Sequence, residues 1–215
     1  MRLLFKENSW FLGSFLLFLL VGIYVLSIPQ GQLLLEWNAN RMPFEDAFFP
    51  IMTKAGEAYG YVAVFFLLLL VQRDRSAFLV PVIGVVVSIL SFVSKKIFHQ
   101  PRPARFFEEQ GLFSQVHPIE GVHLNTGLNS FPSGHTMAAF ALFAFLAFCW
   151  PQKKWAALIF FLIAFLVGLS RMYLVQHFFK DVYLGAILGV SVAVFANQLK
   201  SRIPWLQQGT KVINA

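Results

Sequence analysis

Six apolar runs, separated by polar stretches of unequal length, organise this chain. Runs of about 15 to 20 residues are long enough to cross a bilayer as helices. They fall near 10–28, 55–72, 76–94, 134–150, 155–173 and 182–199. The second is the least regular: its apolar core, YVAVFFLLLLVQ, reaches span length only by extending back through Gly56 and Tyr59. The pattern predicts an all-α fold, a polytopic membrane bundle of about six transmembrane helices forming a single domain over 1–215. Two polar stretches, roughly 29–54 and 95–133, are too long to be simple turns.

Composition agrees with that picture. Hydrophobic residues make up 58% of the 215, Phe alone accounts for 26, and only 13% are charged, where a soluble domain carries about 25%. The net charge of +7 is dispersed in short loops, whereas nucleic-acid binders gather basic residues into a patch or stripe, so no nucleic-acid partner is expected. Cys149 is the only cysteine, which excludes an intramolecular disulfide. The first apolar run, WFLGSFLLFLLVGIYVLSI, lacks a clear small-residue cleavage site and reads as a retained span.

With an even number of spans both termini share one side. That side receives Arg2, Lys6, Arg73, Arg75, Lys153, Lys154, Lys200, Arg202 and Lys211; the other receives Arg41, Lys54, Lys95, Lys96, Arg102, Arg105, Arg171 and Lys180. The raw counts barely differ. Setting Lys95, Arg102 and Arg171 aside as candidate site residues leaves a bias that puts the termini in the cytoplasm. Trp150 and Trp155 flank PQKK on the same side, as interfacial anchors would. The segments 29–54, 95–133 and 170–181 then gather on one outer face.

Those outer segments carry the chemistry. In SRMYLVQHFFKD, residues 170–181, His177 and Asp181 are four apart and face the same way on a helix. A carboxylate bonded to one imidazole nitrogen fixes the tautomer and leaves the other as nucleophile or base. Alone, the pair reads equally well as a helix-start Asp with a chance histidine. FPSGHT opens the fourth span, with Ser133 as N-cap and the amides near Gly134 and His135 pointing outward, ready for an anion. KKIFHQPRP follows the third span and supplies Lys95, Lys96 and Arg102, with prolines stiffening the exit. Alone, these two segments read as an ordinary capped helix and as cations snorkelling at a helix end.

In combination the three are distinctive. Lys95, six residues, Arg102-Pro103; then Pro132-Ser133-Gly134-His135; then Ser170-Arg171, five residues, His177, three residues, Asp181. This order and spacing resembles the type 2 phosphatidic acid phosphatase (PAP2) superfamily, which includes membrane lipid phosphatases and soluble vanadium haloperoxidases. The resemblance covers roughly 60–198. One departure is Gln100, where members often carry a further Arg, and it puts one outer phosphate contact in doubt.

The resemblance implies roles. His177 would attack phosphorus and carry a phosphohistidine, Asp181 would orient it, and His135 would protonate the departing oxygen and then activate water. Lys95, Arg102 and Arg171, with Ser133 and the Gly134 amide, would bind the phosphate oxygens. No metal and no cofactor is needed by this chemistry. His117, Glu120 and His123 lie close together in VHPIEGVH, but two histidines and a carboxylate in a loop are weak grounds for a metal site. Gly185 and Gly189 read as helix packing. The 29–54 stretch is equally well an interfacial, lipid-guiding segment or a plain connector.

The expected function is therefore an integral-membrane phosphatase acting on a phosphorylated membrane lipid, its partners being that substrate and the bilayer. Undecaprenyl pyrophosphate or lipid A is favoured; phosphatidylglycerol phosphate and phosphatidic acid remain open. The compact chain points to a bacterial inner (plasma) membrane, with an extracytoplasmic active site. The alternatives are a lipid phosphotransferase using the same nucleophile and a non-catalytic lipid-binding or transport protein. Haloperoxidase activity is disfavoured because those relatives are soluble.

Overall fold

A computed structural model describes residues 7–150 and 154–207. Nine α-helices lie among the described residues: α1 Ser9–Val25, α2 Gln32–Ala39, α3 Pro43–Met52, α4 Ala58–Phe66, α5 Leu79–Phe98, α6 Pro103–Glu109, α7 Gly134–Cys149, α8 Lys154–Tyr173 and α9 Phe179–Arg202. Three stretches, Arg75–Glu109, Lys154–Tyr173 and Phe179–Arg202, are long and apolar enough to cross a membrane, and α1 and α7 are shorter apolar helices. A further apolar pair, Pro43–Gly56 and Ala58–Val71, is long enough to cross only when taken together, and its two halves meet at a bend of 61°. The irregular second run expected from sequence is this broken element. It includes a 3-10 turn at Thr53–Gly56 and a π-helical end at Leu67–Val71. The chain is an all-helical integral membrane protein.

Helix α7 is the axis of the bundle. Thirteen of its sixteen residues are buried, so it is apolar all round, as a fully enclosed helix must be. It packs against α8, α9 and α5. Close approach of α9 requires Gly185 and Gly189: a Cβ on the first would stand 2.7 Å from the Ser133 carbonyl oxygen, and on the second 2.5 Å from that of Met137. Helices α1, α4 and α5 turn Leu16, Leu17, Leu20, Val62, Val85 and Phe92 outward, the surface that lipid would cover.

At the end remote from the three motifs, Trp10 packs at a tilt against Trp155 and Arg75 lies over Trp205, an aromatic girdle of the kind found at membrane interfaces. Lys200 stands at this same end. It is buried and bonded to Asp74 Oδ2 at 2.9 Å, close to Cys149 Sγ at 3.6 Å. Burial of one charge demanded the other. Of the remaining charges used for orientation, Arg2, Lys6, Lys153 and Lys211 lie outside the described residues.

The 29–54 stretch is no plain connector. Trp37 packs edge-on to Phe49 and Tyr173, the Tyr173 hydroxyl donates to Asp46 Oδ1 at 2.6 Å, and Asn38 exchanges hydrogen bonds with the His117 backbone. Helices α2 and α3 are thereby fastened to α8 and to the 110–125 loop, over the end where the motifs meet.

Candidate active site

The site is assembled from one end of α5, α7, α8 and α9. Helix α7 begins where Ser133 caps it: its Oγ accepts from the Thr136 amide at 3.4 Å and from Thr136 Oγ1 at 2.9 Å. Because both bonds are accepted, the Ser133 hydroxyl proton remains free to donate. Next to the cap, a Cβ on Gly134 would stand 2.8 Å from Ser91 Oγ and 3.7 Å from Lys95 Nζ. Lys95 thus stands over the backbone of the α7 N-terminus, where unpaired amides and the helix dipole favour an anion.

Helix α8 ends in a Schellman turn. Gln176 N–H donates to the Arg171 carbonyl and Val175 N–H to that of Met172, both at 2.9 Å. Val175 occupies the left-handed position (φ 54°) where glycine is usual. For a β-branched residue this costs about 1–3 kcal/mol. The turn swings His177 back under the Arg171 carbonyl, to which its amide donates at 3.1 Å.

Four residues later the chain supplies Asp181, fully buried in the first turn of α9. Its Oδ2 receives His177 Nδ1 at 3.2 Å, the Phe178 amide at 3.0 Å and the Ser130 hydroxyl. That set of bonds puts the Nδ1 proton towards Asp181 and leaves Nε2 as the free nitrogen. Burial pushes the His177 imidazole down to about 4, against the bond to Asp181, which pulls it up. At neutral pH the ring is therefore uncharged and its lone pair available.

The guanidinium groups are fixed just as firmly. Arg102 Nε donates to Asn129 Oδ1 at 2.7 Å, and its NH1 to the Gln176 carbonyl and Oε1, both at 3.2 Å. Arg171 NH1 donates to Thr53 Oγ1 at 2.8 Å, while its buried Nε has no partner. Lys95, Arg102 and Arg171 all lie within electrostatic range of His135, and His135 Nε2 is 3.1 Å from Glu57 Oε1. So the structure brings together every residue singled out from the motifs: Lys95, Arg102, Ser133, Gly134, His135, Arg171, His177 and Asp181.

Other expectations resolve differently. His99 closes α5 in a left-handed conformation (φ 45°), its amide donating to the Lys95 carbonyl. Gln100 offers its carbonyl to the Ser130 amide, and its Oε1 is buried without a partner. His117 and His123 contribute backbone carbonyls, to Asn38 and Arg41 and to Gln176 respectively. Sequence reading missed Thr53, Glu57, Asn129, Ser130 and Gln176. All five hold a motif side chain directly, and no spacing rule links them to it. Ser130 had a faint signal, standing three residues before Ser133.

Two cavities meet at Glu57 and His135. One, of about 480 Å³, is lined by Thr53, Lys54, His123, Arg171 and Gln176. The other, of about 820 Å³, runs between α4, α5 and α7 from Lys95 and Gly134 past Ser88, Val85 and Tyr61 to Pro81. The fourteen residues from Lys95 back to Pro81 correspond to about 21 Å of helix, so this groove follows the membrane-spanning α5 along most of its length. A charged pocket thus joins an apolar track on one side and a polar mouth on the other.

Comparison with known proteins agrees with this arrangement. A family model described as the PAP2 superfamily matches residues 76–205. An undecaprenyl-diphosphatase of Sulfolobus acidocaldarius is 30% identical over 207 residues, covering 93% of this chain and 94% of its own. The crystal structure of the transmembrane PAP2-type phosphatidylglycerolphosphate phosphatase of Bacillus subtilis superposes with a TM-score of 0.65 at 25% identity, over 93% of this chain and 98% of that one. That of Aquifex aeolicus LpxE gives 0.60 at 28% identity, over 78% and 92%. A buried His–Asp pair, a capped helix N-terminus and three cations at one end of a membrane bundle are thus accounted for together: the chain belongs to the PAP2 superfamily and is a membrane lipid phosphatase of that type.

Proposed function

We propose that the protein hydrolyses a polyprenyl diphosphate at the extracytoplasmic face of a bacterial plasma membrane, through a phosphohistidine on His177. The observation that carries this reading is the junction of the two cavities at His135. An amphiphile can lie with its chain in the groove along α5 and its phosphate between Lys95, Arg102 and Arg171, while water reaches it from the polar mouth. A diphosphate on a slender isoprenoid suits a single long groove, and the archaeal relative matched along nearly its whole length carries the name undecaprenyl-diphosphatase.

In the first step His177 Nε2 attacks the terminal phosphorus as the bond to the leaving oxygen breaks. The buried Arg171 Nε, lacking any partner, and the Ser133 hydroxyl supply donors for the equatorial oxygens. His135 gives a proton to the departing oxygen. Asp181 keeps His177 oriented and offsets the charge that its ring acquires. In the second step His135 takes a proton from water, which attacks phosphorus. Inorganic phosphate leaves and both histidines return to their starting states.

Assaying phosphate release by the purified protein on undecaprenyl diphosphate, phosphatidylglycerol phosphate, phosphatidic acid and lipid A tests this. The highest kcat/KM is expected for the isoprenyl diphosphate, unchanged by EDTA. A preference for a glycerolipid, or phosphoryl transfer to a lipid acceptor without free phosphate, would contradict it.

A further inference from the structure

We infer that Glu57, outside all three motifs, is a positioning residue of this active site: it orients His135 and favours its protonated form. The inference rests on the role given to His135 above.

Glu57 stands at the break between α3 and α4. The turn that carries it, Thr53–Gly56, is seated on the catalytic helices. Gly56 packs so closely that a Cβ would come within 2.9 Å of the His135 carbonyl oxygen and 2.8 Å of Val167 Cγ1. From one end of this turn Thr53 Oγ1 accepts from Arg171; from the other, Glu57 Oε1 meets His135 Nε2 at 3.1 Å. The break in the second span therefore places one oxygen on a phosphate-binding cation and one on the acid–base histidine.

Stability does not explain the pair. Both side chains are about a third exposed, 35% for His135 and 37% for Glu57, and ion pairs of that exposure contribute little to folding. Its consequence is for the proton. The groups facing His135 are Lys95 from α5, Arg102 from the chain after it, Arg171 from α8 and His177 from the turn before α9. Burial first, and then each cation that grips a phosphate, disfavours a proton on the imidazole, and Glu57 is the carboxylate at hydrogen-bond distance that opposes them. By engaging Nε2 it leaves Nδ1 for the reacting oxygen and fixes the ring plane.

The test uses the full-length protein in detergent with dodecyl phosphate, whose leaving group needs a proton, and p-nitrophenyl phosphate, whose leaving group does not. Glu57→Gln keeps the shape and removes the charge. A neighbouring opposite charge moves a titration by about 1–3 units. The basic limb of kcat on dodecyl phosphate should accordingly move about one unit or more to lower pH, with about tenfold less activity above it. Glu57→Asp should recover part of the loss. Phosphoenzyme formation from p-nitrophenyl phosphate should change less than about twofold, and Glu57→Gln should add nothing in a His135→Ala background, since residues acting as one unit are not additive. An unmoved basic limb, equal loss on both substrates, or an additive loss with His135→Ala would overturn the inference. His135→Ala alone tests the reading beneath it: a loss independent of the leaving group would remove the proton-transfer role of His135 itself.

Discussion

The Ser133 amide donates to the Asp181 backbone carbonyl at 3.0 Å, tying the residue that caps α7 to the residue that orients the proposed nucleophile. Two motifs 48 positions apart in the chain are thus one rigid unit. A change that moves α9 against α7 must disturb the phosphate cradle and the nucleophile together. Gly185→Ala places a methyl at 2.7 Å from the Ser133 carbonyl oxygen. It should cost about 1–3 kcal/mol of stability through overpacking and lower kcat as well. Thermal unfolding and turnover measured on one preparation check whether both fall.

Gly134→Ala is expected to behave otherwise. Its Cβ would meet Ser91 Oγ, the tip of a short side chain, and reach towards Lys95 Nζ. The fold should survive, while kcat/KM falls about tenfold or more as phosphate loses close approach to the helix N-terminus. Inhibition by orthovanadate, measured as a dissociation constant, should weaken in parallel.

Asp181 Oδ2 has three donors, and they are not equivalent. Ser130→Ala removes one neutral hydrogen bond, worth about 0.5–1.5 kcal/mol, so a loss of up to about tenfold in turnover is expected. Asp181→Asn removes the charge that steadies the phosphohistidine and should cost about 10²-fold or more. Steady-state kinetics of the two variants side by side would show the gap; equal losses would mean that the carboxylate acts only as a spacer.

The buried position of His177 sets a pH dependence. Its imidazole titrates near 4, below the ordinary value near 6.5, because burial penalises the charged ring. The neutral, nucleophilic form therefore persists as pH falls through 6 and 5, and is lost only near 4. Phosphoenzyme formation from an aryl phosphate should show its His177 limb there. In the same window the unfolded chain takes up a proton that the folded one refuses, so stability declines from about pH 6.5 downward. Asp181→Asn, lacking the carboxylate that pulls the ring up, should shift the limb lower still.

How much was legible in advance depends on what kind of contact is involved. The apolar runs predicted the helices because span length is dictated by bilayer thickness. The eight motif residues were legible because their joint order and spacing resembles the PAP2 superfamily; each segment alone read as an ordinary helix end. The break at Thr53–Glu57 was not, since a bend is set by packing on Val167 and His135, which lie over 75 residues away. The Schellman turn that delivers His177 was hidden because Val175 holds a position that sequence rules reserve for glycine. The pairing of Lys200 with Asp74 was not legible, because the two lie 126 residues apart.

That ion pair makes its own prediction. Removing one partner of a buried pair strands the other, at about 3–5 kcal/mol. Asp74→Ala should lower the melting temperature clearly while leaving the geometry of the motif end untouched. Replacing both partners with apolar residues, Asp74→Leu with Lys200→Met, should recover most of the loss.

The central claim is that His177 carries the phosphoryl group and His135 moves the protons, and rapid-quench trapping of the phosphoenzyme tests it most directly. With an activated aryl phosphate, His135→Ala should accumulate an acid-labile, base-stable phosphoenzyme, because its hydrolysis loses a general base that contributes about 10²–10⁴-fold. His177→Ala should yield none with any substrate. A trapped intermediate in His177→Ala, or its absence in His135→Ala with the activated substrate, would contradict the account.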